Sequence, residues 1–225
     1  MLLVHGSVVN GDVTWTGQRP LSERFELVIP NRRGFPPGPD VERVDFEEEA
    51  VWLERYLEPG THLVGHSYGG VISLFAAARY PELLRSLTVI EPPAFGVARG
   101  DPAVEAWLDT ARALPRGDLR TYVQAFLDHV GAPLRLPDPL PPVLEQGARA
   151  FMTERWPSEA VLPLAPLPYP VLVVTGDHEP AFEAVGDVLE RELRAERLVL
   201  RGAGHAVQNA RGFNDRLLEF LRRAP

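Results

Sequence analysis

Six short runs of aliphatic and β-branched residues, separated by stretches of helical periodicity, constrain this chain more than any other feature. They are "MLLVHG" from position 1, "FELVIP" from 25, "THLVG" from 61, "LTVIEPP" from 87, "PVLVVTG" from 170 and "RLVLRG" from 197. Runs apolar throughout, rather than in alternation, read as strands covered on both faces, which is the situation of parallel strands. Between the second and third lies "VDFEEEAVWLERYL", where Phe46, Ala50, Leu53 and Leu57 share one face opposite an acidic one, the pattern of an amphipathic helix. After the third, "YGGVISLFAAARYPE" is apolar nearly all round and stops at Tyr80-Pro81, as a helix buried against a sheet does. "FEAVGDVLERELRAE" separates the last two runs, and "FNDRLLEFLRR" closes the chain with Phe213, Leu217, Phe220 and Leu221 on one side. Alternating strand and helix predicts an α/β fold: about six mostly parallel strands with helices on both faces.

The alternation breaks between Pro93 and Pro170. This stretch has helix signals but no clear strand. "DPAVEAWLDTARAL" opens with Asp101 as N-cap and Pro102 at the first helical position, "DLRTYVQAFLDHV" carries apolar residues at helical spacing from Leu119 to Val130, and "PPVLEQGARAFMTERW" is a third candidate helix. The proline-rich "APLPYPV" is a stiff return to the sheet. The expected organisation is a core of residues 1–93 and 170–225, with residues 94–169 inserted before the last two strands as a helical cap. A chain of 225 residues suits one core with such an appendage.

Composition narrows the function classes. With 45% hydrophobic and 24% charged residues and a formal charge of −8, the balance disfavours a nucleic-acid or anionic-membrane partner. There is no cysteine, which removes disulfides, thiolate metal sites and cysteine nucleophiles. The apolar part of "MLLVHG" is short for a signal peptide, and no run approaches the roughly 20 apolar residues of a membrane span, so a cytoplasmic location is expected. No H-E-x-x-H motif or P-loop is present, and neither metal nor cofactor is expected.

The chemistry centres on Gly65-His66-Ser67-Tyr68-Gly69, a G-x-S-x-G pattern between an expected strand and an expected helix. A serine on so sharp a turn has its hydroxyl thrust outward, and glycines on either side let strand and helix pass closely. The bland alternative is a serine that caps the helix. A serine nucleophile needs a base, and His205, in the glycine-rich loop after the last run, is the best placed of the six histidines. His5, His62, His66, His129 and His178 read as packed or solvated. A carboxylate must orient His205, and Glu179, Asp177 and Glu91, in "VIEPP", are the candidates.

"HGS" at 5, "PNRRG" at 30, "GHSYGG" at 65, "EPP" at 91, "TGDHEP" at 175 and "GAGHA" at 202 occur in an order that resembles the α/β-hydrolase superfamily. The resemblance spans almost the whole chain and starts at what looks like the family's third strand. It implies an α/β-hydrolase fold and a triad in the order serine, acid, histidine. It places the acid first at Glu179 by the family's G-x-x-D spacing, second at Asp177, two residues nearer the strand, and a close third at Glu91, a position that supplies the acid in some relatives. It also implies an oxyanion hole built from the backbone N–H groups of Ser7 and Tyr68. The expected activity is hydrolysis of a small carboxylic ester, with Trp107, Tyr122, Phe126, Phe151 and Trp156 of the cap lying partly over an apolar pocket. Carbon–carbon bond hydrolysis, lyase or perhydrolase chemistry on the same residues, and a non-catalytic ligand-binding role, are the alternatives. The expected partner is a small-molecule substrate.

Overall fold

Five of the six runs form one parallel sheet. The computed structural model describes residues 1–115 and 117–224. Strands β1 (Leu2–Val4), β2 (Thr61–His66), β3 (Leu84–Ile90), β4 (Val171–Thr175) and β5 (Glu196–Val199) lie side by side in that order, all parallel. The register pairs Leu3 with Val64, Val64 with Thr88, Val89 with Val173 and Val173 with Arg197. The run at 25–30 contributes a bridge beside Leu2 rather than a full strand, held by Leu3 N–H to the Val28 carbonyl and Val28 N–H to the Met1 carbonyl, both 2.9 Å. It lies at the sheet's edge, and Pro30, which has no N–H, ends it.

Helices flank the sheet: α1 (Gly11–Thr14), α2 (Phe46–Leu53), α3 (Tyr68–Arg79), α4 (Pro102–Arg112), α5 (Leu119–His129), α6 (Pro142–Met152), α7 (Pro180–Leu193) and α8 (Phe213–Leu221). The period-2 geometry of the strands sends neighbouring side chains to opposite faces. Leu63, Leu87, Val89, Val171 and Val173 pack with Phe46, Leu53, Ile72, Phe182 and Leu189 of α2, α3 and α7. Leu3, Val64, Ile90, Leu172 and Val174 pack on the other side with Trp15, Phe213, Leu217 and Phe220. Burial on both faces is why β1 to β4 read as continuous apolar runs, whereas β5, at the sheet's edge, is partly exposed.

The helices between β3 and β4 divide between two cores. In α4, Val104, Trp107, Leu108 and Ala111 join the main core, with Trp107 edge-on to Phe182 of α7 at 5.9 Å. Val123 and Leu127 of α5 and Ala148 of α6 form a smaller cluster with Val8 and Leu136. Asp101 caps α4 through the Ala103 and Val104 amides, and Asp118 caps α5 through Thr121. No helix among the described residues is long and apolar enough to cross a membrane.

Away from the site, His62 of β2 is almost completely buried, edge-on to Phe25, with Nδ1 2.8 Å from Ser86 Oγ. Burial, with the N-terminal ammonium and Arg85 adding to it, lowers its pKa to about 4. The unfolded chain has an ordinary histidine near 6.5. Above that pH both states are neutral and full stability is present. As pH falls below it the unfolded chain takes up a proton that the folded chain refuses, and stability drains away until pH reaches about 4. Urea denaturation at pH 7 and pH 5 should therefore show wild type losing about 1–2 kcal/mol relative to His62→Gln. Equal losses in the two proteins would contradict this.

Candidate active site

The connection from β2 to α3 explains the glycines around Ser67. Ser67 has φ 53° and ψ −126°, a backbone conformation that L-residues rarely adopt. A Cβ at Gly65 would sit 2.3 Å from Ser73 Oγ and 2.4 Å from the Gly69 carbonyl oxygen, and one at Gly69 would sit 2.4 Å from the carbonyl oxygens of both Val4 and His5. Strand, helix and the end of β1 therefore approach too closely to admit a side chain at either glycine. Gly65→Ala is expected to lower stability by about 3 kcal/mol in urea denaturation, because the contacting Gly69 carbonyl is fixed within α3; a loss below about 1 kcal/mol would show that the turn yields.

The Ser67 side chain makes no capping hydrogen bond to α3. Its Oγ lies 2.9 Å from Nε2 of His205, in the loop after β5. Both residues are buried. His66 Nε2 lies 2.9 Å from the His205 carbonyl oxygen and fixes that loop from behind. The structure thus brings Ser67 and His205 together.

The carboxylate facing His205 is Glu91, at the end of β3. Its Oε2 lies 3.4 Å from His205 Nδ1, and its Oε1 accepts a 2.6 Å hydrogen bond from the Gly176 amide. Glu91 is fully buried and has φ 48°. Glu179, ranked first from the sequence, is instead the N-cap of α7, accepting from the Ala181 amide. Asp177 is exposed and faces Arg201 at 3.8 Å. The cause lies in α7: Glu183 accepts hydrogen bonds from the Asp177 amide and the Thr175 hydroxyl. That turns Asp177 outward, and the loop presents His178 toward Glu91, Nδ1 to Oε2, at 3.7 Å. Burial raises the Glu91 carboxyl to about 8 and lowers His205 to about 3, the latter with help from His178. Both shifts reflect charge withdrawn from water.

Ser7 and Tyr68 line the same cavity as the serine. A Cβ on Gly6 would lie 2.9 Å from Ser67 Cβ, so the turn after β1 runs against the serine. Tyr68 opens α3, and its amide is among those without an acceptor inside the helix. Both side chains are occupied elsewhere. Ser7 Oγ donates to Glu154 Oε2, and the Tyr68 hydroxyl donates to the Arg155 carbonyl at 3.1 Å.

Two cavities meet at this centre. One, of about 510 Å³, is lined by Ser67, His205, Ser7 and Glu154 and by an apolar wall that includes Phe95, Trp107, Tyr122, Phe126, Phe151 and Trp156. All five aromatic residues expected over the pocket are in that lining. The other, of about 250 Å³, opens on the far side of Ser67 and His205 toward Val9, Val13 and Leu134. Phe126 and Val130 line both. Arg155 faces the larger cavity, but its guanidinium is committed to Asp45, Glu47 and Glu159.

Beneath Ser7 lies a buried charge cluster that sequence reading missed. Arg32, 1% exposed, donates from Nε to Glu49 at 2.9 Å, from one terminal nitrogen to Glu154 at 2.8 Å and from the other to the Gly6 carbonyl at 2.9 Å. The sequence shows Arg32 only as part of "PNRRG", and nothing near Glu154 marks it as a partner 122 positions away.

A profile of the alpha/beta hydrolase family matches residues 1–216. Among characterised proteins, the chain is similar to 2-(acetamidomethylene)succinate hydrolase of Mesorhizobium japonicum, 27% identical over 92% of this chain and 81% of that one. It is similar to pimeloyl-[acyl-carrier protein] methyl ester esterase of Aeromonas hydrophila, 32% identical over 56% of this chain and 52% of that one. Among solved structures, an epoxide hydrolase from a hot-environment metagenome superposes with a TM-score of 0.74 at 18% identity, covering 98% of this chain and 89% of that one. A thermophilic esterase from Thermogutta terrifontis superposes at 0.61 and 21% identity, covering 99% and 89%. At such identities the structural likeness speaks for the fold.

Proposed function

Because the chain belongs to the alpha/beta hydrolase family, we propose that it is a serine hydrolase that cleaves small, uncharged carboxylic esters by acyl transfer. The observation that carries this reading is the line from Ser67 Oγ through His205 to Glu91, at 2.9 Å and 3.4 Å, at the junction of two cavities. His205 Nε2 takes the serine proton as Oγ attacks the ester carbonyl, and Glu91, in its ionised form, holds the proton on Nδ1 and stabilises the imidazolium that forms. The amides of Ser7 and Tyr68 receive the developing oxyanion. The imidazolium returns its proton to the departing alcohol, and a water activated the same way releases the acid.

The two cavities support assigning one branch to the acyl group and the other to the alcohol, on either side of Ser67. The aromatic wall of the larger branch favours an apolar group, and Glu154 together with the committed state of Arg155 disfavours a carboxylate there. The same three side chains are compatible with other bond cleavages, so the chemistry itself has to be tested. The experiment is turnover of a chain-length series of p-nitrophenyl esters, with mapping of the site labelled by an alkyl phosphonate. The expected result is hydrolysis with a preferred acyl length and one equivalent of label on Ser67. Folded protein that neither turns over nor takes up label would overturn the proposal in favour of a binding role.

A further inference from the structure

Glu91 faces two imidazoles, and the second, His178, has no part in the acyl-transfer steps above. His178 stacks on Phe182 with ring centroids 5.7 Å apart, and its Nε2 lies 3.1 Å from the Val130 carbonyl oxygen at the end of α5. A carbonyl only accepts, so the proton of a neutral His178 sits on Nε2 and Nδ1 keeps a lone pair. That Nδ1 is buried without a hydrogen-bond partner, 3.7 Å from Glu91 Oε2. When Glu91 is ionised, two acceptors thus face each other, and either a proton or a metal cation between them satisfies both.

His205 Nδ1 lies 3.4 Å from the same oxygen, and ligand atoms of Glu91, His178 and His205 all lie within 4.8 Å of one another. Tetrahedral zinc with bonds of about 2.0–2.1 Å holds its ligand atoms roughly 3.3–3.4 Å apart. Two of the three edges here are 3.4 Å and 3.7 Å, the third is within 4.8 Å, and His178 is the less buried of the two rings. Two imidazole nitrogens and one carboxylate oxygen are a donor set that suits zinc.

We propose that Glu91, His178 and His205 form a Zn²⁺ site whose occupancy switches the Ser67–His205 pair off. A neutral imidazole has one N–H and one lone pair. With the metal bonded to Nδ1, the proton that Nδ1 carried passes to solvent and Nε2 takes one up, so His205 exchanges no net proton. Nε2 then points an N–H at Ser67 Oγ and cannot accept the serine proton. The metal also occupies the Glu91 oxygen that holds the productive tautomer. Binding of zinc is independent of the serine-hydrolase reading; inhibition by zinc rests on it.

Binding is therefore measured first on Ser67→Ala, which requires no turnover. Zn²⁺ competed against a chromophoric chelator should bind at one equivalent, Co²⁺ should give the intense visible bands of a tetrahedral site, and His178→Gln should weaken binding tenfold or more while His129→Gln does not. In wild type, Zn²⁺ should inhibit ester turnover reversibly, chelator should restore it, and His178→Gln should raise the inhibitory concentration by the same factor. No stoichiometric binding, or binding unchanged in His178→Gln, overturns the site. If His178→Gln fails to fold, the Co²⁺ spectrum of Ser67→Ala decides, and weak octahedral bands overturn the site. An enzyme without ester activity that still binds Zn²⁺ through His178 would defeat the proposed function and leave the metal site standing.

Discussion

Glu91→Gln is expected to lower kcat on a p-nitrophenyl ester by about 10⁴ with little change in KM, the scale seen when a triad loses its acid. The substitution keeps the shape and removes one acceptor. The glutamine carbonyl oxygen retains the 2.6 Å bond from the Gly176 amide, which leaves the NH₂ group facing His205 Nδ1. A donor in that place asks Nδ1 to accept, so the histidine proton moves to Nε2, where it faces Ser67 and the base is lost. Glu179→Gln is expected to leave kcat within about threefold, since the side chain lies at the start of α7, and to cost at most about 1 kcal/mol through a weaker cap. Steady-state kinetics on the two variants, with circular dichroism to confirm folding, tests the assignment. A collapse of kcat in Glu179→Gln with near-normal Glu91→Gln would return the acid to the loop after β4.

The contrast between these two glutamates also shows what a linear sequence can convey. Periodicity is local, so it located β1 to β5 and the cap at Asp101, each written within about ten neighbouring residues. The run at 25–30 has the composition of a strand but neighbours on one side only, and an edge is not visible in composition. Motif spacing singled out Ser67 and His205, which the structure brings within 2.9 Å of each other, because a turn between strand and helix and a loop after a strand leave glycines behind. It ranked Glu91 behind Glu179 and Asp177, because the direction of the loop after β4 is set by hydrogen bonds accepted by Glu183, six residues beyond Asp177. The aromatic lining was legible as a set of residues, but the division of the site into two cavities at Phe126 depends on how α5 lies over the sheet.

Removing Arg32 should be the most damaging single change away from the reacting groups. Its guanidinium lies between Glu49 and Glu154, with centroid distances of 4.7 Å to the Tyr68 ring and 5.0 Å to the Phe35 ring. The two neighbouring carboxylates hold its pKa up despite burial, whereas burial raises Glu154. Breaking a buried pair from one side costs about 3–5 kcal/mol because the remaining charge stays out of water, and here one substitution strands two. Set against a total stability of about 5–15 kcal/mol, Arg32→Met is expected to be largely unfolded or to melt far below wild type. The triple variant Arg32→Met, Glu49→Gln, Glu154→Gln should recover most of that loss, because burying no charge is cheaper than burying an uncompensated one. Urea denaturation of the three proteins measures both steps; a mild Arg32→Met phenotype would mean that water reaches Glu49 and Glu154. Arg32→Lys distinguishes charge from geometry. An ammonium restores the positive charge, yet it cannot span Glu49, Glu154 and the Gly6 carbonyl with a planar fork. Since Ser7 follows Gly6 and its hydroxyl bonds Glu154, a folded Arg32→Lys protein should lose ester turnover through a displaced oxyanion hole while Ser67 still takes up the phosphonate label.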